Sequence, residues 1–67
     1  MTEWQIRVMV EFEELDSRTK ALGKFLGSPL TENISFDDQM LLWQQYAAMM
    51  TYCHVLVARI SRFVGKS

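Results

Sequence analysis

Two short rows of side chains hold the chemistry that this chain of 67 residues can offer. Trp4, Glu11, Arg18 and Phe25 recur at seven-residue steps in its first half, and Gln45, Tyr52 and Arg59 do so in its second. Arg62 follows Arg59 by three positions. A guanidinium grips phosphate through two parallel N–H donors, and an aromatic face stacks on a base. Arg59 and Arg62 on phosphate, with Tyr52, Trp4 or Trp43 against a ring, therefore make a binding set for a small anionic ligand. The same stripes have a plainer reading. Residues bordering a helical seam set register through interhelix bonds, and Glu11 opposite Tyr52 or Arg59 would do that.

His54 is the only histidine. It lies among apolar positions as a hydrogen-bonded interface residue, or as a ligand contact at a subunit junction. It has no carboxylate or nucleophile spaced to make it a catalytic base. Cys53 is the only cysteine, so no intrachain disulfide forms, and one Cys with one His cannot build a zinc-type ligand set. Gly65-Lys66-Ser67 lacks the upstream glycines of a phosphate-binding loop. Glu13, Glu14 and Asp16 read as a solvated face. The expectation is a protein that is not an enzyme and uses no metal and no cofactor.

The second half carries an unbroken heptad seam: Gln39, Leu42, Tyr46, Met49, Cys53, Leu56, Ile60 and Phe63. A second series, Trp43, Ala47, Met50, His54, Val57, Ser61 and Val64, runs in phase beside it. One apolar stripe suffices for a helix packed on one neighbour. A helix apolar on most of its circumference must be surrounded, and a chain this short cannot surround it alone. Small chains bury only about 60% of their unfolded surface and often gain stability from partners. A hydrophobic content of 49% supplies the surface for oligomerisation.

The first half admits two patterns. Trp4, Ile6, Val8, Val10 and Phe12 alternate with other residues at the period of a strand. Val8, Phe12, Leu15, Thr19, Leu22 and Leu26 step by four and three as a helical seam. A strand here would have no partner strand, so helix is the expectation over residues 2–26. Ile6, Met9 and Val10 then form a second apolar patch, suited to a subunit contact. Between the halves, Gly27 suits a left-handed helix end and Pro29 cannot continue a helix. Ser35 serves as the next N-cap, with Asp38 as a weak capping-box partner and Asp37 beside it in the first turn. The second helix spans residues 36–64, with Gly65 ending it. The fold class is all-α: an antiparallel two-helix hairpin, one domain over residues 1–67, that oligomerises into a helical bundle. The antiparallel arrangement places Trp4 near the C-terminal end of the second helix.

The net charge of −1 gives no general attraction to nucleic acid. Residues 1–4 lack the basic start of a signal peptide. Gln44, Gln45, His54 and Arg59 interrupt residues 40–60, so no membrane span is expected. A lone cysteine fits a reducing compartment.

Glu11, Glu14-Leu15, Leu22, Phe25-Leu26, Leu41-Leu42, Gln45, Met49, Tyr52, Leu56, Arg59-Ile60 and Phe63 form a pattern covering nearly the whole chain. It resembles small helical-hairpin proteins of tailed phages and prophages. Residues 52–59, Tyr-Cys-His-Val-Leu-Val-Ala-Arg, are similar to the closing helix of the phage hairpins that sponge cyclic-nucleotide immune signals. Tyr52 takes the aromatic place, His54 stands where that group has an amide, and Val57-Ala58-Arg59 forms the terminal triplet. Residues 27–34 lack that group's Ser-Arg-Glu segment, so contacts made through it are not carried over. The resemblance implies a phage-encoded homo-oligomer in the bacterial host cytoplasm that withholds a nucleotide-derived immune messenger at its subunit junctions. The alternative is a helical inhibitor or adaptor that captures a host protein on its exposed apolar faces.

Overall fold

The computed structural model describes residues 1–64 and is all-helical over them. Helix α1 runs Glu3–Leu26, a short 3-10 turn covers Pro29–Asn33, and helix α2 runs Phe36–Phe63. Residues 4–12 are helix throughout, because α2 offers them a seam and the described residues hold no strand edge for them to join. At the start of α1, the Gln5 side-chain oxygen accepts from the Thr2 backbone N–H at 2.9 Å. That bond satisfies one of the donors a helix start leaves free. Ser35 caps α2, its hydroxyl oxygen accepting from the Asp38 N–H at 3.2 Å.

The end of α1 corrects one expectation. Gly27 has φ −89° and ψ 4°, so the helix does not close through a left-handed glycine. Its N–H donates to the Gly23 carbonyl, while Ser28 ends the helix from both sides. The Ser28 hydroxyl donates to the Phe25 carbonyl at 2.8 Å and accepts from the Leu30 N–H at 3.3 Å. Pro29 then starts the 3-10 turn with its fixed φ. Gln39 fastens that turn to α2 by donating to the Thr31 and Ile34 carbonyls, both at 2.9 Å. Gly65, expected to end α2, lies outside the described residues.

The two helices lie side by side in a rod of 47 × 17 × 14 Å, too thin for a side chain to be enclosed on all sides except along the shared seam. Val8, Leu15, Cys53 and Leu56 form the buried cluster, flanked by Phe12, Met49, Ile60 and Phe63. Leu56, at 0% exposure, is its most deeply buried member. Thr19 is the buried polar residue of that seam, and its hydroxyl is satisfied by the Leu15 carbonyl at 2.7 Å. It also sits 3.6 Å from the Cys53 sulfur on the opposite helix. The second series on α2 finds little cover within the hairpin: Trp43, Met50, Val57 and Val64 are all exposed.

Near the loop end the helices approach closely at Gly23. A Cβ added there would meet Tyr46 Cε1 and Oη at 3.0 Å. The missing side chain makes room for the Tyr46 ring, which also meets Trp43 edge to face at 6.0 Å.

Candidate functional site

The antiparallel course of α1 and α2 brings the first turn of one beside the last turns of the other. Trp4 and Phe63 meet there edge to face, with ring centroids 5.5 Å apart and planes at 76°. Such T-shaped pairs set the positive edge of one ring against the negative face of the other. The pair forms one wall of an open recess completed by Gln5, Arg59 and Arg62. Trp4 remains 53% exposed, so much of its indole is available to a ligand.

Further from the helix ends, the Tyr52 hydroxyl donates to the Glu11 carboxylate. This bond, first, raises the Tyr52 pKa above that of a free tyrosine, with partial desolvation and the Glu11 charge adding to it and Arg59 opposing it. Glu11 thus pairs with Tyr52, and no Glu11–Arg59 ion pair forms among the described residues. Those residues hold two ion pairs, Arg7–Glu3 at 3.3 Å and Lys20–Asp16 at 2.9 Å, and neither uses Arg59 or Arg62. Within them, both guanidiniums at the recess keep their donors free of carboxylates.

The structure therefore gathers Trp4, Arg59 and Arg62 in one recess, leaves Tyr52 outside its lining in the bond to Glu11, and places the other two candidates elsewhere. Trp43 lies in the opposite half of α2 against Tyr46. His54 opens onto a separate groove with Phe12, Asp16, Lys20, Met50 and Val57. That groove is mostly apolar, and Asp16 and Lys20 in it are already paired with each other. Within one chain, neither Trp43 nor His54 lines the recess that contains Arg59.

Gln5 and Phe63 complete the recess without having been singled out in the sequence. Phe63 reads there as a seam residue, and its second role follows only from its position at the helix end. Gln5 carries the signal of a helix start, since Thr2-x-x-Gln5 has capping-box spacing. No group of His, Cys, Asp or Glu among the described residues is placed to hold a metal ion. No described helix is long and apolar enough to cross a membrane.

The sequence profile of the Sequestin family matches residues 2–62, which takes in nearly all of both helices and the whole recess except Phe63. The chain belongs to the Sequestin family. It is also 36% identical over 63 residues to an uncharacterized 7.5 kDa protein from the denB–rIIB intergenic region of Enterobacteria phage T4. That alignment covers 94% of this chain and 98% of the phage protein, so the likeness runs from end to end of both. No solved structure matches this Sequestin chain.

Proposed function

We propose that this Sequestin protein is a phage counter-defence protein acting in the host cytoplasm, which binds and withholds a nucleotide-derived immune messenger without transforming it. The observation that carries the reading is the recess at the helix ends. Two guanidiniums one turn apart, free of carboxylates among the described residues, stand beside an exposed indole. Arg59 and Arg62 take the phosphate, and Trp4 stacks on the base. Tyr52, seven residues before Arg59 on α2, is held by Glu11 outside the recess lining and would reach only a ligand that extends along the helix. Nothing in this assignment requires a nucleophile, a proton shuttle or a metal. The family's name and its kinship with a phage protein support sequestration as the mode of action.

The recess is shallow and open on one side. A messenger held tightly enough to be withheld needs a second wall, which a neighbouring subunit would supply in a homo-oligomer. His54 and Trp43 would enter the site only across such a junction.

The test is a set of melting curves taken with cyclic dinucleotides, cyclic trinucleotides and ADP-ribose derivatives, alongside the mass by light scattering. A ligand at a hundred times its dissociation constant adds about 2.7 kcal/mol to the folded state. One messenger class should raise Tm in wild type and leave Arg59→Ala unshifted at unchanged mass. A flat panel on a folded protein refutes the reading. It would favour the rival proposal, capture of a host protein, for which the exposed Trp43, Met50 and Val57 face is the specific support.

A further inference from the structure

The start of α1 fixes the polarity of one side chain in the recess. Gln5 is partly buried between the exposed Trp4 and Ile6, and it lines the recess with Trp4, Arg59, Arg62 and Phe63. A carboxamide has an oxygen end that accepts and a nitrogen end that donates, and a free one can turn either to a ligand. Here the choice is already made. The Gln5 atom that meets the Thr2 backbone N–H at 2.9 Å is the oxygen, because an N–H donor cannot bond to an NH2 group. The amide nitrogen, with its two donors, makes no hydrogen bond among the described residues.

The polar side chains of the recess then all offer the same thing. Arg59 and Arg62 only donate, the indole N–H of Trp4 only donates, and Gln5 has its donors to spare. No carboxylate and no hydroxyl stand among the residues lining it. The other two grooves differ in this respect. Asp16 lines the one at His54, and Glu11 and Glu14 line one along α1.

We infer that Gln5 is a specificity-determining residue of the recess, a third donor that binds a phosphoryl oxygen alongside Arg59 and Arg62. The inference rests on the nucleotide reading above. An ionised phosphoryl group presents acceptors and no donor, so it matches a lining made of donors alone. The same lining turns away a ligand that points an amine at Gln5, where two N–H groups would face each other unsatisfied. Gln5 therefore has two roles. Its oxygen satisfies a free donor of the helix start, and that bond turns its nitrogen to the ligand.

Two substitutions separate these roles. Gln5→Glu keeps an oxygen for the Thr2 N–H, and glutamate is an accepted capping-box partner, so Tm without ligand should hold. It replaces the donors by a carboxylate beside the guanidiniums. Gln5→Met keeps the length and the neutral charge but has neither donor nor cap. Affinities are measured by titration calorimetry at pH 7 with cyclic di-AMP, cyclic tri-AMP and ADP-ribose, and helicity by circular dichroism. For the probe that wild type binds, each variant should bind at least about tenfold more weakly, as expected for one lost hydrogen bond to a charged group. Fraying of the helix start does not explain the loss in Gln5→Glu, and charge does not explain it in Gln5→Met.

Gln5→Met or Gln5→Glu binding at wild-type strength would overturn the inference. Should Gln5→Met lose helicity, wild type itself decides by NMR. The Gln5 side-chain NH2 signals, identified by their absence in Gln5→Glu, should shift as the probe saturates the protein, and unmoved signals would overturn the inference. A wild type that binds none of the probes removes the recess reading and this inference with it. Binding that is lost in Arg59→Ala but kept in Gln5→Met removes this inference alone.

Discussion

The Tyr52 hydroxyl and the Glu11 carboxylate, 41 residues apart in sequence, are hydrogen-bonded across the two helices. The bond ties α1 to α2 in one register. Neither of its partners lines the recess of Trp4, Arg59 and Arg62, and Arg59 makes no ion pair with Glu11 among the described residues.

The bond makes the phenol pH-sensitive in a defined direction. Glu11 holds the Tyr52 proton more tightly in the folded chain than in the unfolded one, so its pKa is raised above the ordinary value of about 10. The stabilisation is complete below that ordinary value and is lost as pH rises through the folded one. Phenolate absorbance should therefore show one tyrosine titrating late in wild type. Glu11→Gln should move it back toward the ordinary range, and Tyr52→Phe should remove it. A late tyrosine that survives Glu11→Gln would assign the shift to another cause.

Leu56 is wholly buried in a core of few residues, so truncation there leaves a void that the thin rod cannot share among many neighbours. Leu56→Ala should cost about 2–5 kcal/mol. At about 4–8 °C per kcal/mol for so small a domain, thermal melting should show either a large fall in Tm or no folded baseline. A fall of a few degrees would mean that Leu56 is less enclosed than the seam implies.

Gly23 and Tyr46 should be coupled. Gly23→Leu puts a branched side chain into space the Tyr46 ring now fills, and it should lower Tm despite leucine's better helix propensity. Tyr46→Ala clears that space, so the double variant should melt higher than additive effects allow. A double-mutant cycle that closes to zero would show that the two residues do not meet.

Much of the hairpin is written in the chain's periodicity, for physical reasons that differ along it. The α2 seam is legible because its positions from Gln39 to Phe63 keep to three- and four-residue steps, which no element but a helix can bury together. Residues 4–12 fit two periods, and what decides between them is the absence of a partner strand, which is a property of the whole fold. Gly27 and Pro29 mark the break between helices, but the way α1 closes was not legible. Ser28 and Pro29 do locally what a left-handed glycine does elsewhere, so the glycine stays right-handed. Trp4, Arg59 and Arg62 come together because antiparallel helices bring the start of α1 beside the end of α2, while the heptad-spaced Glu11 and Tyr52 meet further along the same hairpin. Trp43 and His54 share the chemistry of that group but not its position. Residue type alone therefore groups them with side chains that the hairpin keeps apart.

The central claim is that the protein holds a nucleotide messenger at Arg59 and Arg62 and returns it unchanged. Equilibrium dialysis against the nucleotide class that shifts Tm, followed by heat denaturation and chromatography of the released material, tests both parts together. The account predicts saturable uptake by wild type, loss of uptake in Arg59→Ala and Arg62→Ala at unchanged fold, and quantitative recovery of the intact nucleotide. Uptake that survives both arginine substitutions, or recovery of a cleaved product, would contradict it.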